Sequence, residues 1–364
     1  MRRFIVLGGV GTIGRIVVRD LFESHSGNHI VIADHRESLA RSLAESFNDP
    51  RVTAGFVDAR EPEKLANALC GQAVAINCLQ HNFNLAVMRA SLSANVHYVD
   101  LGGLFSWTRK QLRLNGKFEN AGLTAIIGIG CSPGITNVLA AYAVGKLGKA
   151  RSIKIRVGLV DFGGQSGKEL QFSYSAQTVI EELTLKPWIF RDGKFFQTVP
   201  RSGWELTEFP EPVGKIWTLR TRHSEIATLP ISFRKQGLRY CDFKVSFRPE
   251  LVREVMERLR IGWTMAQFQK LVAVSAQPND YEVSRVIVDD LIVDCHAMPK
   301  LEWQAGAGDI DTASPPSIAA QMIADGVIQE RGVLPPEIAI PVQPFLAELK
   351  KRGMQISESG AINP

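Results

Sequence analysis

The segment Gly9-Val10-Gly11-Thr12-Ile13-Gly14 constrains this chain more than any other, because glycines at that spacing after an apolar run mark a strand turning sharply into a helix. Phe4-Ile5-Val6-Leu7 supplies the strand. Ile13, Ile16, Val17 and Leu21 recur at helical spacing behind it, so the helix buries one face on a sheet. At such a turn Gly9 lets the chain bend, Gly11 leaves empty the space a side chain would fill, and Gly14 lets helix and strand approach closely. The helix start, from Thr12 and Ile13, then presents unpaired N–H groups to an anion. Asp34 closes a second apolar run about 20 residues on, where a carboxylate accepts hydrogen bonds from ribose hydroxyls. The pattern points to a nicotinamide dinucleotide, NAD ahead of NADP because Asp34 would repel a 2′-phosphate; Arg36 keeps NADP open, since a guanidinium pairs with phosphate. Asp58, after the third strand, lies near the expected adenine end and is equally explained as a helix cap.

A chain of 364 residues exceeds one ordinary hydrophobic core and predicts two domains. Strands are expected at 4–7, 29–33, 52–57, 74–77, 98–101 and 124–127, alternating with helix-period segments that include one from Trp107 to a cap at Gly122. That alternation is the pattern of a doubly wound parallel sheet. After Ala150 the period changes to two: Ile153, Ile155 and Val157 alternate with Lys154 and Arg156, and Phe243, Val245 and Phe247 with Lys244 and Ser246. This predicts a largely antiparallel sheet with one wet face. Asp192-Gly193 marks a hairpin, residues 199–214 read as a connection, and Pro249 opens an amphipathic helix. The tail from about Pro315 reads as helices around a turn at Pro335-Pro336. The expected fold is α/β: a Rossmann domain over 1–130, an inserted substrate and dimerisation α/β domain over 131–312, and C-terminal helices over 313–364 packing back on the first domain.

Composition removes several alternatives. Hydrophobic residues make up 45% and charged residues 22%, the balance of a folded globular chain, and the net charge of +5 comes without a basic tract interleaved with aromatics. Neither nucleic acid nor a membrane is an expected partner. The five cysteines lack C-x-x-C spacing and are odd in number, which predicts no disulfide framework, no metal site and a reducing cytoplasm. The apolar run after Met1-Arg2-Arg3 breaks at Gly8-Gly9, as a strand does and a signal peptide does not.

Several longer blocks carry a family resemblance: Asn77, Phe83-Asn84, the run from His97 through Tyr98-Val99-Asp100 to Gly103, Pro133-Gly134-Ile135-Thr136-Asn137, and the tail Leu334-Pro335-Pro336-Glu337 with Lys351-Arg352-Gly353. From Gly9 to its C-terminus the chain resembles the saccharopine dehydrogenase-type family, and within it the lysine 6-dehydrogenases. The resemblance implies a homodimer, an amino-acid substrate carrying an amine, oxidation or reduction at its carbon–nitrogen bond, and Asn77 on the cofactor side. Thr221 to Pro230 departs from the lysine 6-dehydrogenase pattern, which leaves saccharopine or carboxynorspermidine-type imine reduction as alternatives. A non-catalytic NAD(P) sensor is the alternative from another class.

Candidates for the chemistry follow from residue type and place. Ser132-Pro133-Gly134 reads as a second helix start whose free N–H groups hold a substrate carboxylate or the nicotinamide carboxamide, with an ordinary crossover helix as the plain alternative. Asp100 ends a strand and is a candidate catalytic group. Arg220, Arg222, His223 and Glu225 concentrate titratable groups: His223 or Glu225 as the base that takes a proton from an amine, Arg222 as a carboxylate clamp, or a solvated strand end. Tyr174 is a further pocket candidate.

Overall fold

The structure, a computed structural model, describes residues 2–162, 172, 174–272 and 278–360. The chain opens with β1 (Arg3–Leu7), α1 (Thr12–Ser24), β2 (His29–Asp34), α2 (Glu37–Ser46), β3 (Val52–Phe56), α3 (Pro62–Leu69), β4 (Val74–Asn77), α4 (Asn84–Ala94) and β5 (His97–Asp100). It continues through α5 (Phe105–Gln111), α6 (Asn115–Asn120), β6 (Thr124–Ile126) and α7 (Ile135–Leu147). Then come β7 (Ser152–Asp161), α8 (Ala176–Thr184), β8 (Trp188–Arg191), β9 (Lys194–Gln197), β10 (Glu205–Glu208), β11 (Lys215–Arg220), α9 (Glu225–Ser232), β12 (Tyr240–Ser246), α10 (Pro249–Arg260), α11 (Met265–Gln269), β13 (Asp280–Val288) and β14 (Leu291–Ala297). The tail forms α12 (Ala307–Ala324), β15 (Gly332–Leu334), α13 (Pro336–Ala339), α14 (Val342–Lys351) and β16 (Gln355–Ser359).

These elements make two compact units, Met1–Ala141 with Asp311–Arg352, and Tyr142–Ile310 with Gly353–Pro364. The first holds a seven-stranded sheet in the order β15-β6-β5-β4-β1-β2-β3, with every pair parallel. Its order reverses between β1 and β4, the place where such sheets open a crevice for ligands at the carboxyl ends of their strands. Phe4, Ile5, Val6 and Leu7 are all buried because a central parallel strand is covered on both faces. Ile16, Val17 and Leu21 bury the sheet-facing side of α1 as their spacing requires.

In the second unit β7 lies between β12, its one parallel neighbour, and antiparallel β13, within a nine-stranded sheet. Cys241, Phe243 and Val245 are buried as the alternation predicts, yet the charged positions between them are not wet. Asp242 and Arg156 are 1% and 2% exposed and pair at 2.8 Å. Arg156 also reaches Glu205 at 3.0 Å, Arg220 lies 3.4 Å from Asp242, and Lys244 bonds Glu205. Period-two polarity predicts solvent exposure, but here opposite charges neutralise one another out of solvent.

Other elements depart from expectation for local reasons. The helix expected from Trp107 to Gly122 is broken into α5 and α6 by a 3-10 turn at Leu112–Leu114. Residues 199–214 contain β10, whose four residues pair with β11. Pro315 and Pro316 lie inside α12 and do not open it, so the cut expected at 312 falls within a helix. Residues 353–360 do not follow the C-terminal helices: β16 adds to the second sheet beside β14. Among the described residues no helix is long and apolar enough to cross a membrane.

Candidate functional site

The glycine loop is built by packing, and Gly8 makes the bend assigned to Gly9. Gly8 has φ of 74° and donates its N–H to the Ala33 carbonyl at 2.8 Å. Gly9 instead lies tight on β2, where a Cβ would meet Ile32 Cγ2 at 2.8 Å. Gly14 is the strictest position, because a Cβ would stand 2.2 Å from the Gly8 carbonyl oxygen. At Gly11 a Cβ would approach only that same oxygen, at 3.2 Å, and otherwise enter open space. No side chain caps α1, so the N–H groups of its first turn, at exposed Thr12 and half-buried Ile13, remain for an anion or water. An open floor beside an uncapped helix start fits the diphosphate of a dinucleotide.

Asp34 ends β2 with its carboxyl almost wholly buried and bonded to Arg36: Oδ1 accepts from the backbone N–H at 3.0 Å and from Nε at 3.1 Å. Burial pushes the Asp34 pKa up, but the Arg36 side chain and backbone N–H outweigh it and hold the carboxyl below its ordinary value. It is a fixed anion at the carboxyl end of β2, with the Arg36 guanidinium half-exposed beside it. Asp58 repeats the arrangement after β3. Its carboxylate takes the Arg60 backbone N–H at 2.9 Å and the guanidinium at 2.6 Å, which lowers its pKa to about 2.

Asn77 and Asp100 face inward, and neither is free to bind a ligand. Asn77 Nδ2 donates to Asn84 Oδ1 at 3.0 Å and to the Tyr98 hydroxyl at 3.1 Å, while its Oδ1 accepts from the Leu79 N–H at 3.2 Å. Asp100, 1% exposed, accepts four hydrogen bonds: Gly102 N–H and Gly128 N–H, both at 2.7 Å, Tyr98 O–H at 2.8 Å and Gln111 Nε2–H at 2.5 Å. Burial raises its pKa, against these donors. Asp100 therefore ties the loops after β5 and β6 together as a structural anchor; the catalytic assignment is corrected.

The Pro133-Gly134 segment is also a packing device. The Pro133 ring fills the space over two glycines: a Cβ on Gly102 would stand 2.6 Å from its Cγ, and one on Gly128 3.0 Å. The helix starts only at Ile135, so Pro133 precedes it. Its first N–H groups have partners: Gly134 N–H donates to Asn137 Oδ1 at 3.0 Å, Ile135 N–H to the Gly130 carbonyl at 2.8 Å and Thr136 N–H to the Cys131 carbonyl at 3.2 Å. The expected carboxylate cradle at Pro133 and Gly134 is not there. Asn137 in turn donates to Glu337 Oε2 at 2.7 Å, which joins two of the blocks that carried the family resemblance.

In the second unit the two candidate bases, His223 and Glu225, lie side by side with two further neighbours. His223 Nδ1 lies 2.9 Å from Glu225 Oε2, its Nε2 lies 3.6 Å from Glu182 Oε1, and its ring stacks on Phe243 at 3.8 Å. Tyr174 donates its hydroxyl to Glu182 Oε2 at 2.5 Å. Burial lowers the His223 pKa, but the two carboxylates overcome it and raise the value to about 9. Glu182, on the inner face of α8, was not foreseen, because an acid in an amphipathic helix reads as surface. Arg222 donates to the Lys186 carbonyl at 2.9 Å, and Arg220 belongs to the Asp242 network.

A doubly wound sheet with this glycine loop and an acid at the end of β2 defines a nicotinamide-dinucleotide-binding domain. Residues 4–126 match the family model described as saccharopine dehydrogenase NADP binding domain, so this segment is similar to the dinucleotide-binding domain of those enzymes. The chain is 24% identical to carboxyaminopropylagmatine dehydrogenase of a Synechocystis species, over 96% of each chain. It is 26% identical to carboxynorspermidine synthase of Vibrio alginolyticus, over 61% of this chain and 58% of that protein. Among solved structures, saccharopine dehydrogenase (L-Glu forming) from Saccharomyces cerevisiae matches 99% of this chain and 100% of its own with a TM-score of 0.77 at 15% identity. The homospermidine synthase of Legionella pneumophila in complex with NAD matches with a TM-score of 0.72 at 12% identity, over 99% of this chain and 91% of its own. At those identities the two structures speak for the fold alone.

Proposed function

We propose that this protein is an NAD(P)-dependent oxidoreductase acting on the carbon–nitrogen bond of a carboxylated amine, with an amino-acid-derived polyamine as the substrate class. The observation that carries the reading is the buried His223–Glu225–Glu182 cluster: a titratable ring between two carboxylates, in a chain whose other unit carries a dinucleotide loop. Gly8, Gly9, Gly11 and Gly14 shape the diphosphate seat, Thr12 and Ile13 contribute backbone N–H groups, and Asp34 with Arg36 holds the adenosine ribose. The bound nicotinamide supplies or accepts the hydride, and the chain orients substrate and handles the proton. Asp34 favours NAD, whereas Arg36 keeps NADP competent. The polyamine substrate class is supported by the carboxyaminopropylagmatine dehydrogenase relative, which aligns over nearly the whole chain.

Oxidative deamination of lysine at its ε-carbon is the second reading, supported by the blocks shared with the lysine 6-dehydrogenases. A homodimer and a cytoplasmic location belong to the same proposal. The test follows reduced-cofactor absorbance with NAD and NADP against L-lysine, saccharopine and carboxylated polyamines, and in reverse with aldehyde and amine pairs that form imines. Turnover of a carboxylated polyamine above the others is the expected result. Cofactor binding with no turnover across the panel would leave a dinucleotide sensor.

A further inference from the structure

The first unit contains the Asp-x-Arg turns Asp34-His35-Arg36, Asp49-Pro50-Arg51 and Asp58-Ala59-Arg60, and the first of them is built differently from the others. In each, Oδ1 of the aspartate accepts the backbone N–H and the Nε–H of the arginine two residues on. At Asp49 and Asp58 the guanidinium closes on the second oxygen as well. Nη2 lies 2.9 and 2.6 Å from Oδ2 there, and Nε 3.1 Å from it in both. At Asp34 that side of the fork stands open: among the described residues Oδ2 meets only Arg36 Nη2, at 3.4 Å.

Asp34 is nevertheless covered. Its side chain is 2% exposed, while those of His35 and Arg36 beside it are 62% and 46% exposed, and His35 Nδ1 stands 3.3 Å from Oδ1. The cover is basic and lies on the solvent side of the acid. The Arg36 backbone N–H holds Oδ1 at 3.0 Å whatever the side chain does, so the carboxylate keeps its orientation when the guanidinium swings away, and Oδ2 is the oxygen that the swing bares. Arg36 Nη1 bonds no described residue, which leaves both its N–H groups for an incoming anion.

We propose that Arg36 is a movable cover through which one seat accepts both NAD and NADP, and that it works against the first and for the second. The inference rests on the dinucleotide reading above, which seats the adenosine ribose at the carboxyl end of β2. Every group involved belongs to the first unit. With NAD the guanidinium swings off Asp34 and a ribose hydroxyl donates to Oδ2. With NADP it stays on Asp34, Nη1 donates to the 2′-phosphate, and the positive charge of Arg36 stands between that phosphate and the carboxylate. An uncovered Asp34 would discriminate sharply, because it would bond the diol and repel the phosphate. The cover weakens NAD binding, since an ion pair has to open first, and admits NADP.

The test is equilibrium binding of NAD and NADP to the full-length protein, followed by intrinsic fluorescence. Wild-type protein should bind the two with Kd values within about 10-fold of each other. Arg36→Ala should raise the Kd for NADP about 10-fold or more, through loss of a charged donor to phosphate, and lower that for NAD by up to about fivefold, because no half-exposed ion pair then has to open. Arg36→Lys keeps the charge without the fork and should fall between wild type and Arg36→Ala. Arg51→Ala is the control: its turn precedes β3, at the opposite edge of the parallel sheet from Asp34, and the ratio of the two Kd values should not change. Equal loss of affinity for both dinucleotides in Arg36→Ala, or a wild type that prefers one of them by more than about 100-fold, overturns the proposal and leaves the dinucleotide reading standing. A wild type that binds neither removes that reading instead.

Discussion

Replacing Gly14 by alanine sets two physical effects of opposite sign against each other. Position 14 lies in the first turn of α1, and alanine is favoured over glycine in a helix by up to about 1 kcal/mol. The new Cβ, however, would stand 2.2 Å from the Gly8 carbonyl oxygen and 2.8 Å from Gly9 Cα. These are backbone atoms held by hydrogen bonds to Ala33, so no side-chain rotation relieves the contact. Overpacking ordinarily costs about 1–3 kcal/mol, and a rigid neighbour puts this site at the upper end. The net expectation is a loss of about 2 kcal/mol from the first unit. Gly116→Ala, in α6 with open space where its Cβ would go, is the control and should be neutral or mildly stabilising. Denaturant unfolding with and without dinucleotide reads both effects. Ligand at 100 times its Kd stabilises a wild-type site by about 2.7 kcal/mol; a hundredfold weakening of affinity cuts that to about 0.4 kcal/mol at the same concentration. Gly14→Ala protein with wild-type stability and an undiminished ligand effect would refute the account of the loop.

Asp100→Ala strands four buried donors, each worth about 1–3 kcal/mol when left unpaired, and should cost at least ~3 kcal/mol after local relaxation. If that variant folds with wild-type stability and loses only turnover, the catalytic role returns. Asp34→Ala removes a charged acceptor and should raise the Kd for NAD roughly 10- to 100-fold while affecting NADP less; equal losses for the two, measured by fluorescence titration, would contradict the role given to Asp34. His223 has a folded pKa above its unfolded one, so its share of stability is complete below pH 6.5 and disappears as pH rises through about 9. Unfolding free energy compared between wild type and His223→Asn should converge across that window, and a difference that grows with pH would contradict the sign.

The sequence was most informative where backbone geometry dictates residue type. Gly14 stands where the turn and helix need it, because a Cβ there would lie 2.2 Å from the Gly8 carbonyl oxygen. It was less informative about Gly8 and Gly9, adjacent and chemically identical, since only the fold decides which one takes the positive φ. Polar residues were the main source of misreading, and for one physical reason. A sequence shows that Asn77, Asp100, Glu182 and Asp242 are polar but not where their partners lie, and each is buried by partners from other elements, as Asp100 is by Gly128 and Gln111. Such partnerships close over long stretches of chain, as Asn137 does with Glu337 and Arg352 with Asp20. Asn137 and Glu337 come from blocks that read as functional because they were distinctive, yet the hydrogen bonds from Gly134 to Asn137 and from Asn137 to Glu337 are engaged in holding the start of α7 against the tail. A distinctive motif therefore marks a demanding geometry, which can leave a helix start uncapped, as at α1, or buttress neighbouring loops, as at Gly134. The two are separated by asking whether the backbone N–H groups already have partners: at Gly134 they do, and at the start of α1 no side chain supplies one.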